Sequence, residues 1–217
     1  MMTGPDAAPR RRFDGVLFDL LTALLDSWSL WNAVAGGAEP GRRWRAEYLQ
    51  RTYRTGAYRP YEDMVAEAAE AVGLSRGLAA ALAGRYGDLQ PWPDVPATLG
   101  RLVAAGMRLG VVTNCSEQLG RIAARRVGID FDVVVTAEGA GAYKPHPRTY
   151  TLALAELGVA PERCLFVAGS AYDLVGTAAV GLATYWHDRV GMVDPDGALP
   201  LLAHHSSLQA LPEIALG

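Results

Sequence analysis

The chain has 217 residues, half of them hydrophobic, enough to bury a core as one large domain or as a core with an insertion, and too apolar for disorder. A formal net charge of −3 with scattered arginines gives no basic stripe for nucleic acid or an anionic membrane, which leaves a small molecule as the expected partner. Cys115 and Cys164 lie far apart, each beside an apolar run, and read as reduced interior thiols of a cytoplasmic protein.

At the N-terminus, Arg10-Arg11-Arg12 before the apolar run Val16 to Leu25 has the outline of a signal peptide. Asp14 and Asp19 break that outline, no small-x-small cleavage site follows, and no run reaches the roughly 18 apolar residues of a membrane span. Five short apolar runs then recur along the chain: Gly15 to Leu21, Arg108 to Thr113, Phe131 to Thr136, Cys164 to Ala168 and Ala183 to Trp186. Amphipathic stretches of helical length separate four of them, among these Val95 to Ala105, Glu117 to Val127 and Pro147 to Leu157. This alternation predicts an α/β fold, a Rossmann-like parallel sheet flanked by helices. The gap between the first two runs is too long for one crossover, so an insertion is expected there. Residues 28–88, with breaks at Gly36-Gly37, Pro40-Gly41, Gly56 and Arg59-Pro60, read as a small helical cap, leaving 11–27 and 89–217 as the core domain.

In open parallel sheets the ligand sits at the carboxyl ends of the strands, near the point where strand order reverses. The polar residues at those ends are Asp19, Thr113 with Asn114, and the loop Gly169 to Asp173, with Lys144 just past another strand. Lys144 is the only lysine among twenty Lys plus Arg. A sequence that otherwise uses arginine places one compact ammonium in Tyr143-Lys144-Pro145, as a site needing a point charge would. Asp19, ending a buried strand, needs a cation to stay ionised, and Lys144 is the candidate. The plain alternative is that Asp19 caps the following helix.

Asp19-Leu20-Leu21-Thr22-Ala23, Thr113-Asn114, Lys144-Pro145 and Gly169-Ser170-Ala171-Tyr172-Asp173, in that order, resemble the four motifs of the haloacid dehalogenase (HAD) superfamily over nearly the whole chain. The resemblance implies the HAD fold, with Asp19 as nucleophile, Lys144 holding it ionised and Asp173 positioning the lysine. The departures narrow it further. Superfamily phosphatases carry a second Asp two residues after the nucleophile, where this chain has Leu21, and a magnesium-binding Asp where it has Gly169. The resemblance therefore implies neither metal nor cofactor and poor phosphatase activity. A halide needs no protonation to leave, and the L-2-haloacid dehalogenase branch likewise lacks the second Asp.

In that branch Arg45 corresponds to the halide-binding arginine and Tyr150 to the active-site tyrosine, while Ser170 stands where Asn is frequent. The resemblance then implies a small carboxylic acid as substrate, an aspartyl-ester intermediate and a homodimer. The Leu20 backbone N–H, Thr113 and Asn114 would hold the substrate carboxylate, and Arg45 with Asn114 the halide. Thr22-Ala23 in place of Gly-Thr leaves the hydroxyl beside the nucleophile missing or displaced by one residue. Other readings stay open: opening of a strained ring such as azetidine-2-carboxylate, a weak phosphatase, or a non-catalytic binding or regulatory protein. Each residue also has a plain role: Arg45 on a solvated face, Tyr150 in the core, Asp173 as a helix cap and Ser170 turning its loop. His204-His205 read as a surface pair without metal spacing. His146 reads as the cap of the helix from Pro147. Trp28, Trp31, Trp44 and Trp92 read as cap core or lid.

Overall fold

In the computed structural model the apolar runs form one six-stranded sheet, every neighbouring pair parallel. Residues 11–193 and 200–217 are described, so Arg10 of the basic run lies outside them. The strands are β1 (Gly15–Asp19), β2 (Arg108–Thr113), β3 (Val133–Thr136), β4 (Cys164–Ala168), β5 (Ala183–His187) and β6 (Ala203–His205), in spatial order β3-β2-β1-β4-β5-β6. β1 and β4 are buried along their whole length, because helices cover both faces and every residue must be apolar or partnered. Val16 and Phe18 face one core and Leu17 the other, the two-residue period of an extended chain.

Four helices lie between β1 and the crossover to β2: α1 (Ser27–Val34), α2 (Ala38–Thr55), α3 (Tyr61–Ala71) and α4 (Leu78–Ala83). The crossover helix is α5 (Val95–Ala104), followed after β2 by α6 (Glu117–Arg126). After β3 come α7 (Ala137–Ala140) and α8 (Pro147–Leu157), then α9 (Asp173–Ala179) after β4 and α10 (Leu211–Leu216) after β6. Leu99 and Leu102 of α5 and Leu119 and Ala123 of α6 pack on one side of the sheet, while Tyr150, Leu154 and Leu157 of α8 and Leu174 of α9 pack on the other. His146 caps α8 as expected, its Nδ1 accepting from Arg148 N at 3.2 Å. Trp31 and Trp44 are buried with centroids 4.6 Å apart, which makes them core between α1 and α2.

The first strand ends at Asp19 as expected, although the apolar run continues to Leu21, because the chain turns there and the amides of Leu24 and Leu25 donate to the Leu20 carbonyl. Two elements differ from the sequence-based expectation. Pro40-Gly41 is not a break, since α2 runs through it. Proline in a first helical turn forfeits no intrahelical bond, and a Cβ on Gly41 would run into Asn32 of α1, so the glycine permits close helix packing. His204-His205, both exposed, belong to the short edge strand β6; His204 stacks on Trp186 at 4.2 Å and His205 on Tyr185 at 5.4 Å. Pairing with β5, more than any pattern of their own, makes these residues a strand.

Strand order reverses between β1 and β4: the chain moves from β1 outward through β2 and β3, then returns to pair β4 on the other side of β1. The carboxyl ends of these two strands are Asp19 and Ala168, so Asp19 and the loop from Gly169 to Asp173 meet at the switch point.

Candidate active site

A small cavity of about 30 Å³ opens at this switch point. It is lined by Asp19, Leu21 and Thr22 after β1, Arg45, Tyr48 and Leu49 of α2, Thr113 and Asn114 after β2, Lys144, and Ser170, Tyr172 and Asp173 after β4. Space on this scale accommodates about two water-sized atoms, which restricts any ligand to a few heavy atoms with slight opening of the walls. Among the described residues no helix is long and apolar enough to cross a membrane.

Lys144 lies between two carboxylates. Its Nζ is 2.6 Å from Asp19 Oδ1 and 3.0 Å from Asp173 Oδ1, with all three side chains buried. Burial raises the Asp19 carboxyl, but the Lys144 ammonium and the donors of Thr22 outweigh it, so Asp19 sits below the ordinary carboxylate value and is held ionised. Burial likewise opposes the charge on Lys144, yet Asp173 and Asp19 together carry it above the ordinary lysine value. Asp173 goes the other way. Burial dominates the help it receives from Lys144, the charge of Asp19 adds to the upward push, and its carboxyl rises to about 6. Its Oδ2 is buried without a hydrogen-bond partner among the described residues.

Asp19 also closes the turn that follows it. Its Oδ2 accepts from the backbone N–H of Thr22 at 2.8 Å, from that of Ala23 at 3.1 Å and from the Thr22 hydroxyl. The helix that follows takes its cap elsewhere, from Asp26, whose Oδ1 accepts from Ser29 N at 3.0 Å. The hydroxyl beside Asp19 is thus displaced by one residue rather than lost. Its position explains Gly169: a Cβ there would fall well inside contact distance of the Ala23 nitrogen, the Thr22 carbonyl carbon and the Thr22 Oγ. A carboxylate cannot stand at position 169 while Thr22 occupies that space. The donor set therefore does not fit an octahedral magnesium site, and the described residues contain no cluster of His, Cys, Asp and Glu suited to a metal.

Arg45 is 1% exposed. Its guanidinium lies 4.7 Å from the Trp28 ring and 5.2 Å from the Trp31 ring, and neither Nε nor Nη1 has a hydrogen-bond partner among the described residues. The solvated-face alternative is therefore excluded for this arginine. Aromatic faces partly compensate a buried cation, but the two carboxylates of the cavity are engaged by Lys144.

The remaining expected residues are placed as follows. Thr113 is buried with its hydroxyl 3.4 Å from Cys115 Sγ. The Asn114 side chain clamps the Lys144 backbone, accepting from its N–H at 2.7 Å and donating to its carbonyl at 3.3 Å, and the Asn114 carbonyl accepts from the Tyr48 hydroxyl at 2.7 Å. Ser170 is buried in the wall, its Oγ accepting from Tyr172 N at 3.3 Å. Leu20 and Tyr150 are fully buried but outside the lining. Tyr150 stands behind Asp173, donating to its Oδ1 at 3.0 Å, with its ring edge-on to Phe166 at 5.2 Å. Cys115 and Cys164 are buried free thiols, each pushed up by burial to about 12, which leaves them protonated and inert.

Thr22, Tyr48, Leu49 and Tyr172 were not among the residues that sequence reasoning selected for the wall. Thr22 carries a local signal, an Asp followed at the third residue by Thr, the spacing of a side-chain-closed turn. Tyr48 and Leu49 sit one helical turn from Arg45 and share its face of α2.

A parallel sheet with an ionised aspartate and a buried lysine at its switch point has the form of a site in which a carboxylate can act as nucleophile. The family model described as haloacid dehalogenase-like hydrolase matches residues 13–181, and the chain belongs to that family. It is 31% identical over 207 residues to (S)-2-haloacid dehalogenase H-109 of Pseudomonas putida, covering 86% of this chain and 91% of that protein. It is 27% identical over 214 residues to haloacetate dehalogenase H-2 of Moraxella sp. (strain B), covering 88% of this chain and 96% of that protein. Among solved structures it resembles a dehalogenase with a TM-score of 0.80 at 28% identity, covering 94% of this chain and 98% of that one. A dehalogenase solved with an intermediate complex gives 0.81 at 26% identity, covering 96% and 100%.

Proposed function

We propose that the protein hydrolyses the carbon–halogen bond of a small 2-haloacid of S configuration, without a metal, through an ester on Asp19. The observation that carries this is Arg45, a buried guanidinium on the cavity wall with no carboxylate partner among the described residues, because such a charge is built for an anion that arrives or forms there. The names of the relatives, haloacid and haloacetate dehalogenases, point to the same substrates. In this scheme residues 28–88 are a lid and 11–27 with 89–217 the core, and the buried free thiols suit a reducing cytoplasm.

An oxygen of ionised Asp19 attacks C2 of the acid from the side opposite the halogen. The new C–O bond forms as the carbon–halogen bond breaks, and the halide leaves with its electron pair to Arg45. No acid is needed, which fits Leu21 in place of a second Asp. Water then attacks Cγ of the ester and gives its proton to Asp173, whose free Oδ2 and value of about 6 suit a base near neutral pH. The Cγ–O bond to the substrate breaks, that proton leaves with the hydroxy acid, and the second proton of the water passes from the Asp19 carboxyl to solvent, so each turnover releases one halide and one proton and leaves Asp19 ionised. Only the first step touches C2, so configuration inverts once. Asn114 and Tyr150 act at one remove: the first fixes Lys144, the second Asp173.

The experiment is halide release from (S)-2-chloropropionate in EDTA, comparing the native protein with Asp19→Asn in freshly purified, undeamidated form. Native turnover to the R hydroxy acid, absent in the variant, is expected. Turnover by Asp19→Asn, or native turnover appearing only with magnesium, would sink the proposal.

A further inference from the structure

The two oxygens of Asp19 differ in what they can still do. Among the described residues Oδ1 accepts from Lys144 alone, so one lone pair remains for attack on carbon. Oδ2 accepts from three donors, the Thr22 and Ala23 amides and the Thr22 hydroxyl, which saturate its two lone pairs. The donors are held from behind. Trp92 Nε1 donates to the Thr22 carbonyl at 3.0 Å, and the Nδ1–H of His187 to the Ala23 carbonyl at 2.9 Å, while burial lowers the His187 pKa and keeps that ring neutral. The Thr22 hydroxyl itself occupies the room left by the missing Cβ of Gly169.

From this asymmetry, and resting on the ester scheme above, we infer that Thr22 is a catalytic residue of the second step, its hydroxyl completing a three-donor oxyanion cradle for ester hydrolysis. Attack by Oδ1 makes Oδ2 the carbonyl oxygen of the ester. When water adds to Cγ, the C=O electron pair moves onto Oδ2, where the three donors already stand. On collapse that pair re-forms the C=O bond as the Cγ–Oδ1 bond breaks. Oδ1 departs with the product, and the water oxygen replaces it in the Asp19 carboxylate. Donors preorganised where charge develops accelerate a step without reorganisation, and loss of one typically costs about 10²–10³ in rate.

The test mixes excess (S)-2-chloropropionate with the native protein, Thr22→Val, Thr22→Ala and Thr22→Ser, following halide on the millisecond scale and the ester by intact mass after acid quench. Thr22→Val and Thr22→Ala should release about one halide per chain in a burst, then turn over roughly 100-fold more slowly with most chains esterified; Thr22→Ser should stay within a few-fold of native. The burst itself counts folded, reactive sites, so a poorly folded variant is recognised, and Thr22→Ala covers a misfolded Thr22→Val. Loss of burst and turnover together in folded Thr22→Val and Thr22→Ala, or turnover without ester build-up, would overturn the role of Thr22. Absence of both halide and ester in the native protein would instead overturn the scheme on which it rests.

Discussion

Replacing Arg45 by methionine should make the free protein more stable and the enzyme much slower. The side chain is 1% exposed, with Nε and Nη1 lacking acceptors among the described residues. A buried unsatisfied donor costs about 1–3 kcal/mol, so the two together cost on the order of 2–6 kcal/mol. The faces of Trp28 and Trp31, at 4.7 and 5.2 Å, return roughly 0.5–2 kcal/mol each. Methionine keeps most of the volume between the indoles and removes the charge, for a net gain on the order of 1–2 kcal/mol, or a Tm rise of roughly 2–8 °C in a chain of this size. Catalysis moves the opposite way. Removing the partner of a desolvated anion costs about 2–5 kcal/mol, a fall in kcat/KM of about 30-fold to several thousand-fold. Calorimetry with and without bromide, beside initial rates of halide release, checks both signs: bromide should raise the Tm of the native protein and leave that of Arg45→Met unmoved. A variant that melts lower than native and keeps its rate within a few-fold would show that Arg45 is a structural cation.

The acid limb of turnover should belong to Asp173. Its carboxyl is raised to about 6 while that of Asp19 is lowered, so as pH falls through about 6 the base is protonated while the nucleophile stays ionised. Rate should drop there with ester building up at low pH, and the limb should vanish from the residual activity of Asp173→Asn. A limb near 4 without ester would refute the assignment. Gly169→Ala should cost on the order of 1–3 kcal/mol by overpacking, because its Cβ meets the backbone of Thr22 and Ala23. Denaturant midpoints test this, and an unchanged midpoint would mean that the turn yields freely. For the same reason Gly169→Asp should not confer magnesium-dependent phosphatase activity.

Lys144 shows how one residue can be legible from composition and still need its neighbours. The lone lysine beside proline marked a site, but only the fold puts its Nζ between Asp19 and Asp173. Arg45 is the harder case, since Arg42, Arg43, Arg51 and Arg54 share α2, and only the family resemblance, not charge or helical spacing, prefers it. Burial against Trp28 and Trp31 separates it from the rest. Tyr150 and Asn114 were found as residues, while their partners depend on side-chain reach across elements far apart in sequence: Tyr150 points at Asp173 and Asn114 at the Lys144 backbone.

By itself the sequence determined the parallel sheet, the inserted helices and the strand ends that carry the polar groups, because the spacing of apolar residues and the end of each run are local properties of the chain. Tertiary structure alone decided the edge strand β6, the helix through Pro40-Gly41, and the complementarity of Thr22 with Gly169. Each depends on a neighbour supplied by another segment: a strand to pair with, a helix to approach, or a side chain filling the space a Cβ would need. The same holds for the charges, since burial and partners supplied by other segments decide that Asp19 stays ionised and that the Asp173 carboxyl is raised to about 6.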